Sequence, residues 1–243
     1  MDERDPGLDR PAISIDNRRL SADDPFRKDG MNSPSPDLTD RQEKTIAALA
    51  AATVVPVLRA DNIGSAIALV NRLVRAGAKA VELTTTIPGW TEVLAAATEL
   101  RDRTSDRVLI GMGTVLNATD ADRALELDAD FLVSPFPAPT VRGPADDADV
   151  LFVEGGSTPA EVAAAAKRGM AKLFPAHLGG PAYLTTLLSV LPGARIIPTG
   201  GINVGDVGSW LRAGALAVGV GRDLYNAEDI TVALAQATRS GTR

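Results

Sequence analysis

Cysteine is absent from this 243-residue chain, and histidine occurs once, at His177. The first absence removes disulfides, thiolate zinc sites and thiol nucleophiles together, and it is what a reducing compartment permits. The second removes any metal centre built from two or three histidines. Of metal sites only an all-carboxylate Mg²⁺ site stays open, and no cofactor is expected. Lysines number only five, aromatic residues make up 4%, and the formal charge is -6. No basic block with interleaved aromatics exists, so neither nucleic acid nor an anionic membrane is an attractive partner, and a small-molecule substrate fits better. No run approaches the roughly 18 uninterrupted apolar residues of a membrane span.

The opening stretch, from Met1 to about Leu38, mixes charges of both signs with proline and serine and shows no sustained apolar period. It reads as a disordered extension. It lacks the apolar segment of a secretory signal, and Asp2, Glu3, Asp5 and Asp9 argue against a mitochondrial presequence, so a cytoplasmic location is expected. Met31, near its end, offers an alternative start. Deleting residues 2–36 is expected to leave the thermal unfolding midpoint almost unmoved, because the segment has too little apolar surface to offset its ordering entropy. A large drop in a melting experiment would show that the tail packs.

What the rest of the chain does have is repetition. With 45% hydrophobic residues it can bury one sizeable core, and residues 39–243 read as a single domain. Short β-branched runs alternate with longer alanine-leucine stretches at intervals that suit βα units. The strand candidates are "TVVPVLR" (53–59), "KAVELT" (79–84), "RVLIGMG" (107–113), "DFLVS" (130–134), "DVLFVE" (149–154), "MAKLFP" (170–175), "RIIPTG" (195–200) and "LAVGVG" (216–221). The stretches between them start on Asn, Ser or Thr and often stop at glycine, as helix caps require. Near-continuous apolar strands point to a parallel sheet covered by helices. Eight units suit a single α/β (β/α)₈ TIM barrel better than an open doubly wound sheet, which the count alone does not exclude. "DRQEKTIAALAA" predicts an extra N-terminal helix over one end of the barrel.

Of the charged residues in these runs, three in apolar surroundings suggest chemistry: Arg59 at the end of the first strand, Glu82 in the second and Lys172 in the sixth. Side chains alternate along a strand, so an inward Lys172 carries Met170 and Phe174 with it, and an inward Glu82 carries Ala80 and Thr84. A partly desolvated amine is a competent nucleophile toward a carbonyl, and a nearby carboxylate can shuttle the protons of imine formation. The other reading is structural: an outward, snorkelling lysine, or a buried ion pair that only holds strands together. Two glycine clusters, "PTGGIN" after strand seven and "GVGRDL" after strand eight, fall where barrels bind phosphate through backbone amides. They are also compatible with ordinary βα turns. "GMGTVL" is no dinucleotide fingerprint, since it lacks the third glycine and follows the third strand.

"VVPVLRA", "AVELTTTIPG", "GMGTVLN", "VSPFP", "AKLFPAHLGGP", "IIPTGGIN" and "AVGVGRDLY" occur in the order and spacing of the 2-keto-3-deoxy-6-phosphogluconate (KDPG) and 4-hydroxy-2-oxoglutarate (KHG) aldolase family, which the chain resembles from Thr39 onward. The resemblance implies a metal-independent class I aldolase, a (β/α)₈ fold and a homotrimer. Lys172 would form a Schiff base with the substrate ketone, and Glu82 would be the general acid/base. Arg59 and Thr114 would hold the pyruvate carboxylate, Phe174 would line the pocket, and Gly200, Gly201 and Gly221 would offer amides to the distal phosphate. The expected reaction splits a 2-keto-3-deoxy-6-phospho sugar acid into pyruvate and glyceraldehyde 3-phosphate. Alternatives are an unphosphorylated 4-hydroxy-2-oxo acid as substrate, or a non-catalytic phosphate-binding barrel. A metal-dependent sugar-phosphate epimerase is weakened by its missing histidines.

Three residues depart from the family pattern. Glu154, in "VEGG", is expected near the barrel mouth as an unhelpful charge beside an anionic substrate. Met112 is expected to narrow the pocket. Arg222 replaces a small residue after Gly221, where its guanidinium would contact phosphate unless it turns outward toward Asp223 or Asp206. His177 reads as a solvated loop residue or a substrate contact, and Tyr183 and Trp210 as packing residues.

Overall fold

The computed structural model describes residues 38–104 and 107–239. The extension expected over residues 1–38 lies outside them except for Leu38, which is half-buried against the core. The chain runs α1 (Asp40–Ala52), β1 (Val54–Pro56), α2 (Ile63–Arg75), β2 (Ala80–Thr84), α3 (Trp90–Arg103), β3 (Leu109–Gly113) and α4 (Ala118–Glu126). It continues with β4 (Phe131–Val133), α5 (Pro139–Asp147), β5 (Leu151–Gly156), α6 (Pro159–Ala166), β6 (Ala171–Leu173) and α7 (Gly180–Val190). The last elements are β7 (Ile196–Pro198), α8 (Val207–Arg212), β8 (Val218–Val220), α9 (Arg222–Tyr225) and α10 (Ile230–Arg239). Among the described residues no helix is long and apolar enough to cross a membrane.

All pairings are parallel. β2 to β7 form a six-stranded sheet in sequence order, β1 pairs with β8, and single bridges, Val57 with Glu82 and Thr199 with Gly219, link the two sheets. The strands are shorter than their apolar runs: β1 and β7 each end on a proline, which has no N–H of its own to donate, although the amides that follow still pair, Val57 with the Val220 carbonyl at 2.8 Å and Thr199 with the Leu173 carbonyl at 3.0 Å. Helix starts follow the capping chemistry. Thr39 and Gln42 form a capping box on α1, Thr158 and Glu161 one on α6, and Asn62 accepts from the Ser65 amide at α2.

The apolar residues divide by strand parity into two cores. One lies between strands and helices. The other is the inward set, with Val55, Ala80, Phe131, Val153, Met170 and Ile197 covered by Ile46, Leu49 and Ala52 of α1. That helix closes the N-terminal end of the strands, which leaves their carboxyl ends to build a site.

Candidate active site

Following the inward parity one step past the apolar core brings Glu82 (from Ala80), Lys172 (from Met170) and Thr199 (from Ile197) to the carboxyl half of the strands. Lys172 Nζ donates to Glu82 Oε1 at 2.9 Å, and the two side chains are only 5% and 3% exposed. The approach depends on Gly113, because a Cβ there would collide with the Glu82 carboxylate. The Lys172 ammonium also stands 5.7 Å from the centroid of the Phe174 ring. Ion pairing and this aromatic face are what compensate the lysine for lost water.

The pair opens onto a cavity of about 410 Å³. The nine residues given catalytic or substrate-binding roles from the sequence all line it: Arg59, Glu82, Thr114, Lys172, Phe174, Gly200, Gly201, Gly221 and Arg222. Arg59 lies beyond the end of β1, and its Nη1 donates to Thr86 Oγ1 at 3.0 Å. Thr114 follows β3 at φ 59°, a conformation rare for a β-branched residue, and its carbonyl accepts from Thr85 Oγ1 at 2.7 Å. Gly200 and Gly201 have φ of 98° and 68°, so the turn after β7 needs glycine at both positions. The two glycine loops are tied together by Asp223, whose Oδ2 accepts from the Val204 amide at 2.7 Å. Asp206 accepts from Asn203 Nδ2, and neither acid is paired with Arg222, whose guanidinium has no hydrogen-bond or ion-pair partner among the described residues.

Two expectations are corrected. Glu154 does not face the cavity. In β5 the inward residues are Leu151 and Val153, so Glu154 points into the helix layer, where Oε1 accepts from the Ala138 amide at the start of α5 and Arg142 Nη2 lies 3.5 Å from Oε2. Burial pushes the Arg142 guanidinium below its ordinary range, and the neighbouring Glu154 carboxylate counteracts that. Met112 has the same outward parity and is fully buried in the core between strands and helices, so it does not narrow the pocket. His177 is exposed outside the cavity lining, with Nδ1 3.2 Å from the Gly200 carbonyl. Trp210 is buried in the outer core, and Tyr183 packs against it while donating to the Ser157 carbonyl.

Sequence reasoning missed Thr199. It is 96% buried by its 4% exposure, lines the cavity, and its Oγ1 has no hydrogen-bond partner. Its place two residues after Ile197, in phase with the inward core, was the available signal. Tyr225 and Asp223 also line the cavity but sit past a strand end, where alternation no longer tells direction.

A buried lysine-glutamate pair at the carboxyl ends of parallel strands, opening on a cavity with arginines and glycine loops, marks an α/β enzyme that handles a small anionic substrate. The family follows from comparison with known proteins. The model described as "Aldolase: KDPG and KHG aldolase" matches residues 45–237, and the chain belongs to that family. It is 30% identical over 177 residues to the 2-dehydro-3-deoxy-6-phosphogalactonate aldolase of Escherichia coli K12, covering 72% of this chain and 85% of that one. It is 31% identical over 167 residues to the 2-dehydro-3-deoxy-phosphogluconate aldolase of Treponema pallidum, covering 68% and 78%. Among solved structures it resembles the 2-keto-3-deoxy-6-phosphogluconate aldolase of Zymomonas mobilis ZM4 with 3-phosphoglycerate, with TM-score 0.70, 26% identity, and coverage of 83% of this chain and 96% of that one.

Proposed function

We propose that the protein is a class I aldolase that reversibly cleaves a 2-keto-3-deoxy-6-phospho sugar acid to pyruvate and glyceraldehyde 3-phosphate. The observation that carries this reading is the 2.9 Å contact between Lys172 Nζ and Glu82 Oε1 inside the cavity. Proton transfer from the ammonium to Glu82 frees the amine, which adds to the C2 ketone. Loss of water, with the proton returned by Glu82, leaves a protonated imine. Glu82 then takes the C4 hydroxyl proton, directly or through a water, while the C3–C4 bond breaks. The bonding pair moves toward the imine nitrogen as an enamine, and the aldehyde leaves. Protonation at C3 and hydrolysis release pyruvate and regenerate Lys172.

Around this pair, Arg59 and Thr114 hold the carboxylate next to the ketone, and Phe174 walls the reacting carbon from solvent. Gly200, Gly201, Gly221 and Arg222 receive the phosphate at the far side of the cavity. The unpartnered Thr199 hydroxyl is available to a substrate hydroxyl between them. The two sheets, joined through their single bridges, act as one closed (β/α)₈ barrel with α1 as an additional N-terminal helix. The working assembly is a cytoplasmic homotrimer, as the family resemblance implies.

Arg222 supplies the test of the phosphate. A charge-assisted contact is worth roughly 1.5 to 3 kcal/mol, or about 10- to 150-fold in apparent binding. Arg222→Ser is expected to raise KM for the phosphorylated substrate on that scale and to leave an unphosphorylated 4-hydroxy-2-oxo acid nearly unaffected. Equal small effects on kcat/KM for both substrates would remove Arg222 from the site and favour the unphosphorylated acid.

A further inference from the structure

The run Thr84-Thr85-Thr86 at the end of β2 takes no part in the chemistry above, yet each hydroxyl is tied to a neighbouring strand end. Thr84 Oγ1 donates to the Leu58 carbonyl at 3.0 Å. Thr84 and Thr86 Oγ1 atoms lie 2.9 Å apart, and Thr86 Oγ1 accepts from Arg59 Nη1 at 3.0 Å. A hydroxyl has one proton. Thr84 gives its own to Leu58, so Thr86 must be the donor between the two threonines, and this in turn leaves Thr86 a lone pair for the guanidinium. The chain therefore runs one way, from Arg59 through Thr86 and Thr84 to the carbonyl of the residue preceding Arg59. Thr85 faces the opposite neighbour and holds the Thr114 carbonyl.

Without such a chain Arg59 would be a poor clamp. Its side chain is exposed, follows the strand end, and makes no other hydrogen bond or ion pair among the described residues. A long free side chain loses rotamer entropy when it binds an anion. Holding Nη1 on Thr86 removes part of that loss beforehand and leaves Nε and Nη2 open for a carboxylate.

We propose that Thr86, relayed through Thr84, is a positioning residue that pre-orients Arg59 for the carboxylate of the 2-oxo acid. This rests on the aldolase reading, which makes pyruvate the probe. The measurement is the pyruvate concentration that gives half-maximal borohydride trapping. Thr86→Val is expected to raise it by about 3- to 10-fold, the scale of one hydrogen bond, with the trapping rate at saturation unchanged. Thr86→Ser, which restores the hydroxyl, is expected to bring it back to within about two-fold of wild type. In an Arg59→Ala background, Thr86→Val is expected to add nothing, because the residue it orients is gone. Wild type labelled by pyruvate, with Thr86→Val saturating at the same concentration, would overturn the positioning role alone. So would a Thr86→Ser variant as weak as Thr86→Val, or a full Thr86→Val effect without Arg59. A wild type that takes up no pyruvate would overturn the Schiff-base reading and this proposal with it.

Discussion

Treatment with pyruvate and borohydride is expected to add one reduced pyruvate, at Lys172, and Lys172→Ala is expected to abolish both the adduct and turnover. The other described lysines, Lys44, Lys79 and Lys167, are exposed, whereas Lys172 is 4% exposed and hydrogen-bonded to a carboxylate that can take its proton. Removing a covalent nucleophile lowers turnover by on the order of 10⁴-fold or more. Truncation also strands Glu82 in a buried position, and breaking a buried pair typically costs about 3–5 kcal/mol. Lys172→Arg separates the two effects, since it keeps a cation beside Glu82 but offers no amine for an imine. Peptide mass spectrometry locates the adduct, and circular dichroism reports the fold. An adduct spread over Lys44, Lys79 and Lys167, or one that persists in folded Lys172→Arg, would sink the Schiff-base mechanism.

The second large effect is expected at Glu82. Glu82→Gln keeps the shape of the side chain and an oxygen that can accept from Lys172, but it cannot carry a proton between amine, water and the C4 hydroxyl. Turnover should fall by about 10²- to 10⁴-fold, the usual range for a positioned acid/base. Pyruvate labelling of Lys172 should still occur, more slowly, because imine formation needs the same proton transfers but no carbon-carbon cleavage. Steady-state kcat, together with the rate of labelling, tests this. Near-normal turnover would reduce Glu82 to a structural partner of the lysine, the alternative that residue types alone left open.

Lys172 and Glu82 could be read from the chain because a charge inside an apolar run is costly unless something compensates it, and such residues are few. The eight strands were readable for a related reason. Apolar runs bounded by caps and glycines report their own length, though not where regular pairing stops, which is at Pro56 in β1 and at Pro198 in β7. The glycine clusters were marked by their place after strands seven and eight, and the positive φ of Gly200 and Gly201 shows a turn that needs glycine there.

Direction was harder to read. "DVLFVEGG" and "RVLIGMG" are apolar at both parities, so nothing local says which residues face the lumen, and Glu154 and Met112 were assigned to the wrong side. Only the packing of Leu151 and Val153 with the inward core, and of Phe152 and Met112 with the helix layer, fixes the phase. The same limit hid the orphan hydroxyl of Thr199 and the hydroxyl chain from Arg59 to Leu58. Threonine is compatible with a strand, a cap or a ligand contact, and its role depends on which other strand end lies within about 3 Å, the reach of a hydrogen bond. The sequence by itself determined the number and order of the βα units, the costly charges Glu82 and Lys172, and the family, because burial cost, periodicity and motif order are read along the chain. The face each strand presents, the partner of each hydroxyl and the freedom of Arg222 were decided by tertiary structure, because they depend on groups up to 90 residues or more apart, as Glu82 and Lys172 are.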